Sequence, residues 1–415
     1  MKVAAVICEL NPFHNGHALL FRKLREEYGA DYIIAVMSGN YVQRGEPAVF
    51  DKYIRAEMAL RGDGISCEPK PGGHADLVLE LPPVFAASSA KEFAAVGVRL
   101  AVAAGVVHIL GFGIEAPATL DTLQDYAVRL DNADREQNAE LQQLLSGGLS
   151  YPAALSSLLG ADALTPNNIL AVEYLRTLAE LGRPIEAAAV LRQGDGYHET
   201  NITDHDLASA SALRERIFRY RDPGKTDRFP YSAVPKILHP FYRSLLDEYS
   251  CVHPDTLSSL LAEHLVLAAE DPENDLSRFL DVSSEIAGRL CARAYYPMSY
   301  TERIADTKTR QYTYSRISRA LLHIALGMTK AEFEEQKATG YIHYLRVLGF
   351  RRGADPLLHA IKKHASVPII TKPADHKELL RRDLHFDQIY YSLQTARSGP
   401  AGIRGELERS PVIVD

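Results

Sequence analysis

His14 and His17 stand three residues apart, with Asn15 and Gly16 between them. On a helix that spacing sets both imidazoles on one side. If a helix opens at this point, its free N–H groups and positive dipole end join the two rings. Such a set of donors holds a triphosphate and stabilises the charge that develops when a nucleotidyl group is transferred. The competing reading is two surface histidines in a loop, and the flanking segments decide between them. Val3 to Cys8 is a short apolar run rich in β-branched residues, which predicts a buried strand. Glu9-Leu10-Asn11-Pro12-Phe13 breaks it with turn chemistry, and Ala18 to Tyr28 is helix-forming and apolar on one side. Strand, Gly-containing turn and helix start agree with the phosphate reading.

The rest of the first half repeats this strand–loop–helix alternation. Asp31 to Val36 and Asp76 to Leu81 read as the second and third strands, and Val106 to Leu110 as the fourth. Between them lie a polar loop from Met37 to Pro47, the amphipathic stretch Asp51 to Leu60, and a Gly/Pro-rich loop from Gly62 to His74. The fourth strand ends in Gly111-Phe112-Gly113-Ile114-Glu115, read as a glycine loop where a nucleotide approaches closely. Arg44 has the planar fork that meets a phosphate or carboxylate, and Ser38, Lys52 and Arg55 are further candidate anion contacts. Asn167 and Asn168 open a helix; they either cap it or hydrogen-bond a nucleotide. Pro184 to Arg192 reads as another strand, followed by a turn over 193–198, and Ser209 starts another helix.

Composition narrows the function classes. The 415 residues exceed one ordinary domain, and 46% hydrophobic with 24% charged residues suits packed cores. No apolar run approaches the roughly 20 residues that cross a membrane, and the start shows no signal-peptide pattern. Cys8, Cys67, Cys251 and Cys291 are scattered without a CxxC pair, which argues against a zinc cluster or disulfide scaffold and suits a reducing cytoplasm. The net charge of −7 does not favour nucleic-acid binding by the whole surface, yet it leaves room for a local basic patch.

His14-Asn15-Gly16-His17 fits the HxGH signature of the nucleotidyltransferase superfamily. The ordered set NPFHNGH, MSGNYVQRGEP, ADLVLELP, LGFGIE, PNNILAVEYL and R-x-x-x-GYH resembles the tRNA(Met) cytidine acetate ligase family, and YTYSRISRALLHIALGM and YLRVLGF extend the likeness through the second half. The Gly62 to His74 stretch looks longer than that family's connection there. The resemblance implies a Rossmann-like α/β domain over 1–222 and a mainly α-helical, tRNA-binding domain over 223–415. It implies ATP and acetate as substrates and elongator tRNA(Met) as the RNA partner, with Mg²⁺ accompanying ATP but no carboxylate cluster to name its ligands. It implies that Ile7, Cys8, Glu9, Leu10, Asn11, Pro12, Phe13, His14, Asn15, Gly16, His17, Ala18, Leu19 and Leu20 bind ATP, with help from Gly113, Asn167 or Asn168, and Arg192. His14 and His17 carry the catalysis, and Arg192 lies on the phosphate or acetate side. The sequence leaves the oligomeric state open.

From about Pro223 helical periodicity dominates. Arg310, Arg316 and Arg319 among Tyr312 and Tyr314, then Arg346 and Arg351, form basic groups mixed with aromatics, which suit an RNA backbone and splayed bases; a solvated helix face is the plainer reading. Ser398 to Asp415 is expected to fray. Two other functions stay open: a small-molecule adenylyl- or cytidylyltransferase, and an RNA-binding protein with a degenerate nucleotide site. The first needs no large basic helical half, and the intact histidines argue against the second.

Overall fold

The computed structural model describes every residue except 65–71, 136–142, 145–146, 148, 150, 161–163, 193–207, 221–228, 249–250 and 400–401. The turn expected at 193–198 and most of the Gly62 to His74 loop lie outside the described residues.

Ten strands are described: β1 (Val3–Cys8), β2 (Tyr32–Ser38), β3 (Tyr41–Val42), β4 (Glu46–Pro47), β5 (Leu77–Leu81), β6 (Ile109–Ile114), β7 (Glu186–Leu191), β8 (Leu345–Arg351), β9 (Ile369–Ile370) and β10 (Val412–Val414). The main sheet runs β10-β8-β5-β2-β1-β6-β7, with β9 beside β8; β3 and β4 form a separate hairpin. Every pairing in the main sheet is parallel except β5 with β8. β1 lies inside the sheet and is buried along its whole length, as its continuous apolar run requires. Val3, Ala5 and Ile7 enter one hydrophobic core and Ala4, Val6 and Cys8 the other, the period-two alternation of a strand with a core on each face. β2 and β5 spread from β1 one way and β6 and β7 the other. Where the order reverses, the loops at the strands' carboxyl ends part and leave a crevice.

The helix Asn15–Glu26 closes over this point. Ala18, Phe21 and Leu24 form its buried stripe, and a Cβ on Gly111 would come within 2.4 Å of Leu24. Gly111 and Gly113 are therefore strand residues of β6, not a loop. Gly111 admits the helix, and a Cβ on Gly113 would crowd Arg192 at 3.1 Å.

The second half is mainly helical, as expected, but it also returns β8, β9 and β10 to the sheet, so the change of texture near 223 is not a break in the sheet. The C-terminal residues do not fray: β10 pairs with β8, and Glu406 is buried. Arg346, expected on an RNA surface, is 1% exposed in β8 and ion-paired to Glu80 and Glu406. A buried strand cannot present that side chain to a partner. Lys52 and Arg55 are equally corrected. Both are fully buried; Lys52 sits 2.8 Å from Glu80, and Arg55 donates to the Phe50, Glu9 and Gly39 carbonyls.

Candidate active site

The turn after β1 is built to hold two imidazoles over a helix end. His14 is the N-cap, in extended backbone, and its Nδ1 accepts from Gly16 N at 3.0 Å. His17 Nδ1 accepts from His14 N at 3.3 Å, which completes a reciprocal cap. The rings lie 3.9 Å apart between centroids. Gly16 is needed for this arrangement, since a Cβ there would stand 2.8 Å from His14 Cε1. Leu10 holds a left-handed φ of 48° just before the turn, a strained conformation kept by the surrounding structure.

Both histidines are neutral. Burial lowers the His14 pKa well below its ordinary value, helped by His17, Arg192 and Arg214. Burial and then Arg192 lower His17 to about 3. Because each Nδ1 already accepts a backbone N–H, each neutral ring carries its proton on Nε2. The two rings thus present N–H donors without a charge that would have to be desolvated.

These residues line a cleft of about 210 Å³ at the carboxyl ends of β1, β6 and β7. Of the expected ATP-binding stretch, Ile7, Cys8, Glu9, Leu10, Asn11, His14, Gly16, His17, Leu19 and Leu20 line it. Pro12, Phe13, Asn15 and Ala18 do not. Phe13 and Ala18 are packed in the core, and Asn15 Nδ2 donates to Ser232 O at 2.8 Å. Gly113, Asn167, Arg192 and Arg44 line the cleft. Ser38 is fully buried at the end of β2 and lies outside it, which corrects its assignment as an anion contact.

The two asparagines divide their work. Asn168 Oδ1 accepts from Glu115 N at 2.9 Å and its Nδ2 donates to Glu115 O at 3.0 Å, so its amide is spent on the backbone. Asn167 lines the cleft and donates to the Glu115 side chain. Neither caps the helix Pro166–Glu180; Thr165 does. Arg192 stands 4.0 Å from Glu115 at the mouth.

Sequence reasoning missed the far wall. A second helix, Ala210–Arg219, starts in the cleft, capped by Ser209. Ser209, Ser211 and Arg214 line the same space. Arg214 Nη1 donates to Asn11 O at 2.7 Å, which ties this helix to the turn after β1. The signal was present in Ser209-Ala210-Ser211-Ala212-Leu213-Arg214: small hydroxyls at a helix start with an arginine one turn on. Two helix N-termini thus face one cleft, an arrangement suited to a polyphosphate. Cys8 is not a nucleophile, because burial pushes its thiol pKa far up.

The basic residues of the second half are dispersed. Arg316 and Arg319 share Asp281, Arg319 at 3.0 Å. Arg351 donates to Leu60 O at 2.8 Å, and Arg310 is exposed. Among the described residues no group of three or more His, Cys, Asp or Glu side chains is placed to hold a metal. No described helix is long and apolar enough to cross a membrane.

Comparison with known proteins gives the same direction. The HIGH Nucleotidyl Transferase family model matches residues 1–401. A tRNA(Met) cytidine acetate ligase of Thermoanaerobacter sp. (strain X514) is 33% identical over 97% of this chain and 98% of its own. One from Leuconostoc citreum is 32% identical over 99% and 97%. The apo crystal structure of Thermotoga maritima TmcAL superposes with a TM-score of 0.84 at 27% identity, covering 100% of both chains. A crystal structure of the same protein bound to alpha-thio ATP gives 0.83 at 28%, again over 100% of both.

Proposed function

The chain belongs to the HIGH nucleotidyl transferase family, and within it we propose that it works as a tRNA(Met) cytidine acetate ligase, using ATP and acetate to form N4-acetylcytidine at the wobble position of elongator tRNA(Met). The observation that carries this reading is the pair of neutral histidines at one helix start, facing a second helix start across one cleft.

Acetate is a poor acyl donor because its leaving group would be oxide, and adenylation supplies a better one. In the first step an acetate oxygen attacks the α-phosphorus of ATP and pyrophosphate leaves. The Nε2–H groups of His14 and His17 donate to phosphate oxygens as negative charge shifts onto the leaving pyrophosphate. The free N–H groups of both helix starts, with Ser209, Ser211 and Arg214, hold the rest of the chain of phosphates. Arg192 and Arg44 flank the cleft as the cations for the phosphate or acetate side. Asn167 and the apolar wall of Ile7, Phe112 and Tyr174 take the nucleoside end. In the second step the exocyclic N4 amine of the cytidine attacks the acetyl carbon, AMP leaves, and a proton is lost from nitrogen. The target base lies in a loop, so its edge is reached without melting a duplex. Acetate is small, so selectivity against longer acids comes from a tight pocket. Mg²⁺ accompanying ATP would be held by phosphate oxygens and water, since among the described residues the cleft offers no carboxylate cluster.

The test is exchange of pyrophosphate into ATP with and without acetate, followed by acetyl transfer to unmodified elongator tRNA(Met). Exchange that requires acetate, and an acetyl mark on the tRNA, is the expected result. Exchange that ignores acetate and answers to a metabolite would overturn it in favour of a small-molecule nucleotidyltransferase.

A further inference from the structure

We propose that Tyr295 and Tyr296 form a stacking platform for unpaired nucleotides of the RNA substrate. The inference rests on the tRNA ligase reading and adds to it a place where the RNA is gripped.

Tyr295 is 67% exposed and Tyr296 54%, and Tyr295 is the most exposed large apolar side chain among the described residues. The exposed aromatic side chains among those residues are Tyr295, Tyr296 and Tyr314, all within one stretch of the helical half. Leaving such rings in water is unfavourable, and a cluster of them marks a contact surface.

The turn that carries the pair is fixed from beneath. Arg303 is buried, and its guanidinium donates to Arg293 O at 3.1 Å and to Tyr296 O at 2.8 Å. Those carbonyls bracket the two tyrosines. The next helix, Tyr300–Thr307, opens with a reciprocal cap between Ser299 and Glu302, which pins the other side of the turn. The rings are thus held out on a rigid base, so little order has to be gained on binding.

Charge selects the partner. At the surface between 289 and 310 stand Arg289, Arg293, Lys308 and Arg310 against Glu302 and Asp306, in a chain of net charge −7. Arg293 lies 4.5 Å from the Tyr296 ring centroid and 3.1 Å from Asp306, a planar cation already stacked on one ring. No Leu, Ile, Val or Met in that stretch is exposed. Open tyrosine faces beside cations, without aliphatic neighbours, suit nucleic-acid bases and phosphates rather than a protein's apolar side chains. Only unpaired bases offer both π faces. The base of the platform is also tied to the cleft wall from inside the protein. The Tyr300 hydroxyl lies 2.8 Å from Gly45 O, and Gly45 follows Arg44 of the cleft wall.

The experiment uses the full chain with Tyr295→Ala and Tyr296→Ala combined. Acetate-dependent pyrophosphate exchange, which involves no RNA, stays at the unmodified level. KM for unmodified elongator tRNA(Met) rises roughly 5- to 150-fold per stacked base lost. The chain contains no tryptophan, so Tyr295→Trp introduces a single fluorophore, and an anticodon stem-loop RNA quenches it saturably while a blunt RNA duplex does not. Unchanged KM for tRNA in the double variant, or equal quenching by the duplex, overturns the platform. Absence of acetate-dependent exchange in the unmodified protein overturns the ligase reading, and the platform with it.

Discussion

Asn40 Nδ2 donates to Asp387 Oδ1 at 2.9 Å inside the protein, joining the loop after β2 to the helix Arg381–Ser398. The same loop carries Gln43 and Arg44 into the cleft, and Gln43 N donates to Glu9 Oε1 at 2.9 Å. Asp387 also lies 2.6 Å from Lys52 Nζ, which meets Glu80 at 2.8 Å and Glu406 at 3.2 Å. The C-terminal segment, the sheet and a wall of the cleft are therefore tied by one buried set of charges. Lys52→Met leaves Glu80, Asp387 and Glu406 buried with Arg346 as their one remaining cation among the described residues and costs about 3–5 kcal/mol of stability. Urea unfolding of the variant measures it, and a cost below about 1 kcal/mol would show that the cluster is not a tie.

Acid acts on this cluster with a definite sign. Burial opposes ionisation of Glu406, yet Lys52 and then Arg346 hold its pKa down to about 2, below its ordinary value of 4.5. Its ion pairing therefore adds stability above about pH 4.5, and that contribution disappears as the pH falls towards 2. Glu406→Gln removes this part of the acid dependence. Melting temperatures of the two proteins from pH 7 down to 3 should converge; parallel curves would rule out Glu406 as a contributor.

The two histidines predict the shape of the activity profile. Their pKa values lie below the ordinary 6.5, His17 at about 3, because burial disfavours the cation. The rate of acetate-dependent exchange should show no limb near pH 6.5 from imidazole titration. The unfolded chain takes up these protons first, so stability is lost as the pH falls below about 6.5. His17→Ala lowers the exchange rate roughly 100- to 1,000-fold. His14→Ala loses a comparable factor and also its helix cap, at about 1 kcal/mol. Loss of activity as the pH rises through about 6.5 would mean that a charged imidazole does the work.

What the sequence reveals follows the range of the interactions. The strand, turn and helix around His14 were legible because every signal lies within a few residues: the apolar run, the turn residues and the amphipathic stripe. β8 was not legible. It reads Leu345-Arg346-Val347-Leu348-Gly349-Phe350-Arg351, and an arginine at its second position argues against a buried strand until its partners are known. Those partners, Glu80 and Glu406, lie far away in the chain. Lys52 and Arg55 misled in the same way, since a cation looks alike in sequence whether it meets a ligand, a buried carboxylate or a carbonyl. Arg214 was missed for the reverse reason: its place in the cleft depends on Asn11, which only the fold brings near.

Asn167 and Asn168 allow function and stability to be separated at neighbouring positions. Asn168 satisfies both the N–H and the C=O of Glu115, and its own side chain is buried. Asn168→Ala leaves the Glu115 N–H without its partner, at about 1–3 kcal/mol where water cannot replace the amide, while Glu115 O keeps the bond from Ala118 N at 3.2 Å. It should lower the melting temperature and, by releasing Glu115 beside Arg192, disturb the cleft as well. Asn167 has its side chain at the cleft wall, and Asn167→Ala should raise KM for ATP about 5- to 15-fold, the worth of one hydrogen bond of roughly 1–1.5 kcal/mol, with little change in melting temperature. Thermal unfolding and pyrophosphate exchange on the two variants test the division. If Asn168→Ala melts like the unmodified protein while its KM for ATP rises, the amide that meets the nucleotide is Asn168, and the clamp on Glu115 is dispensable.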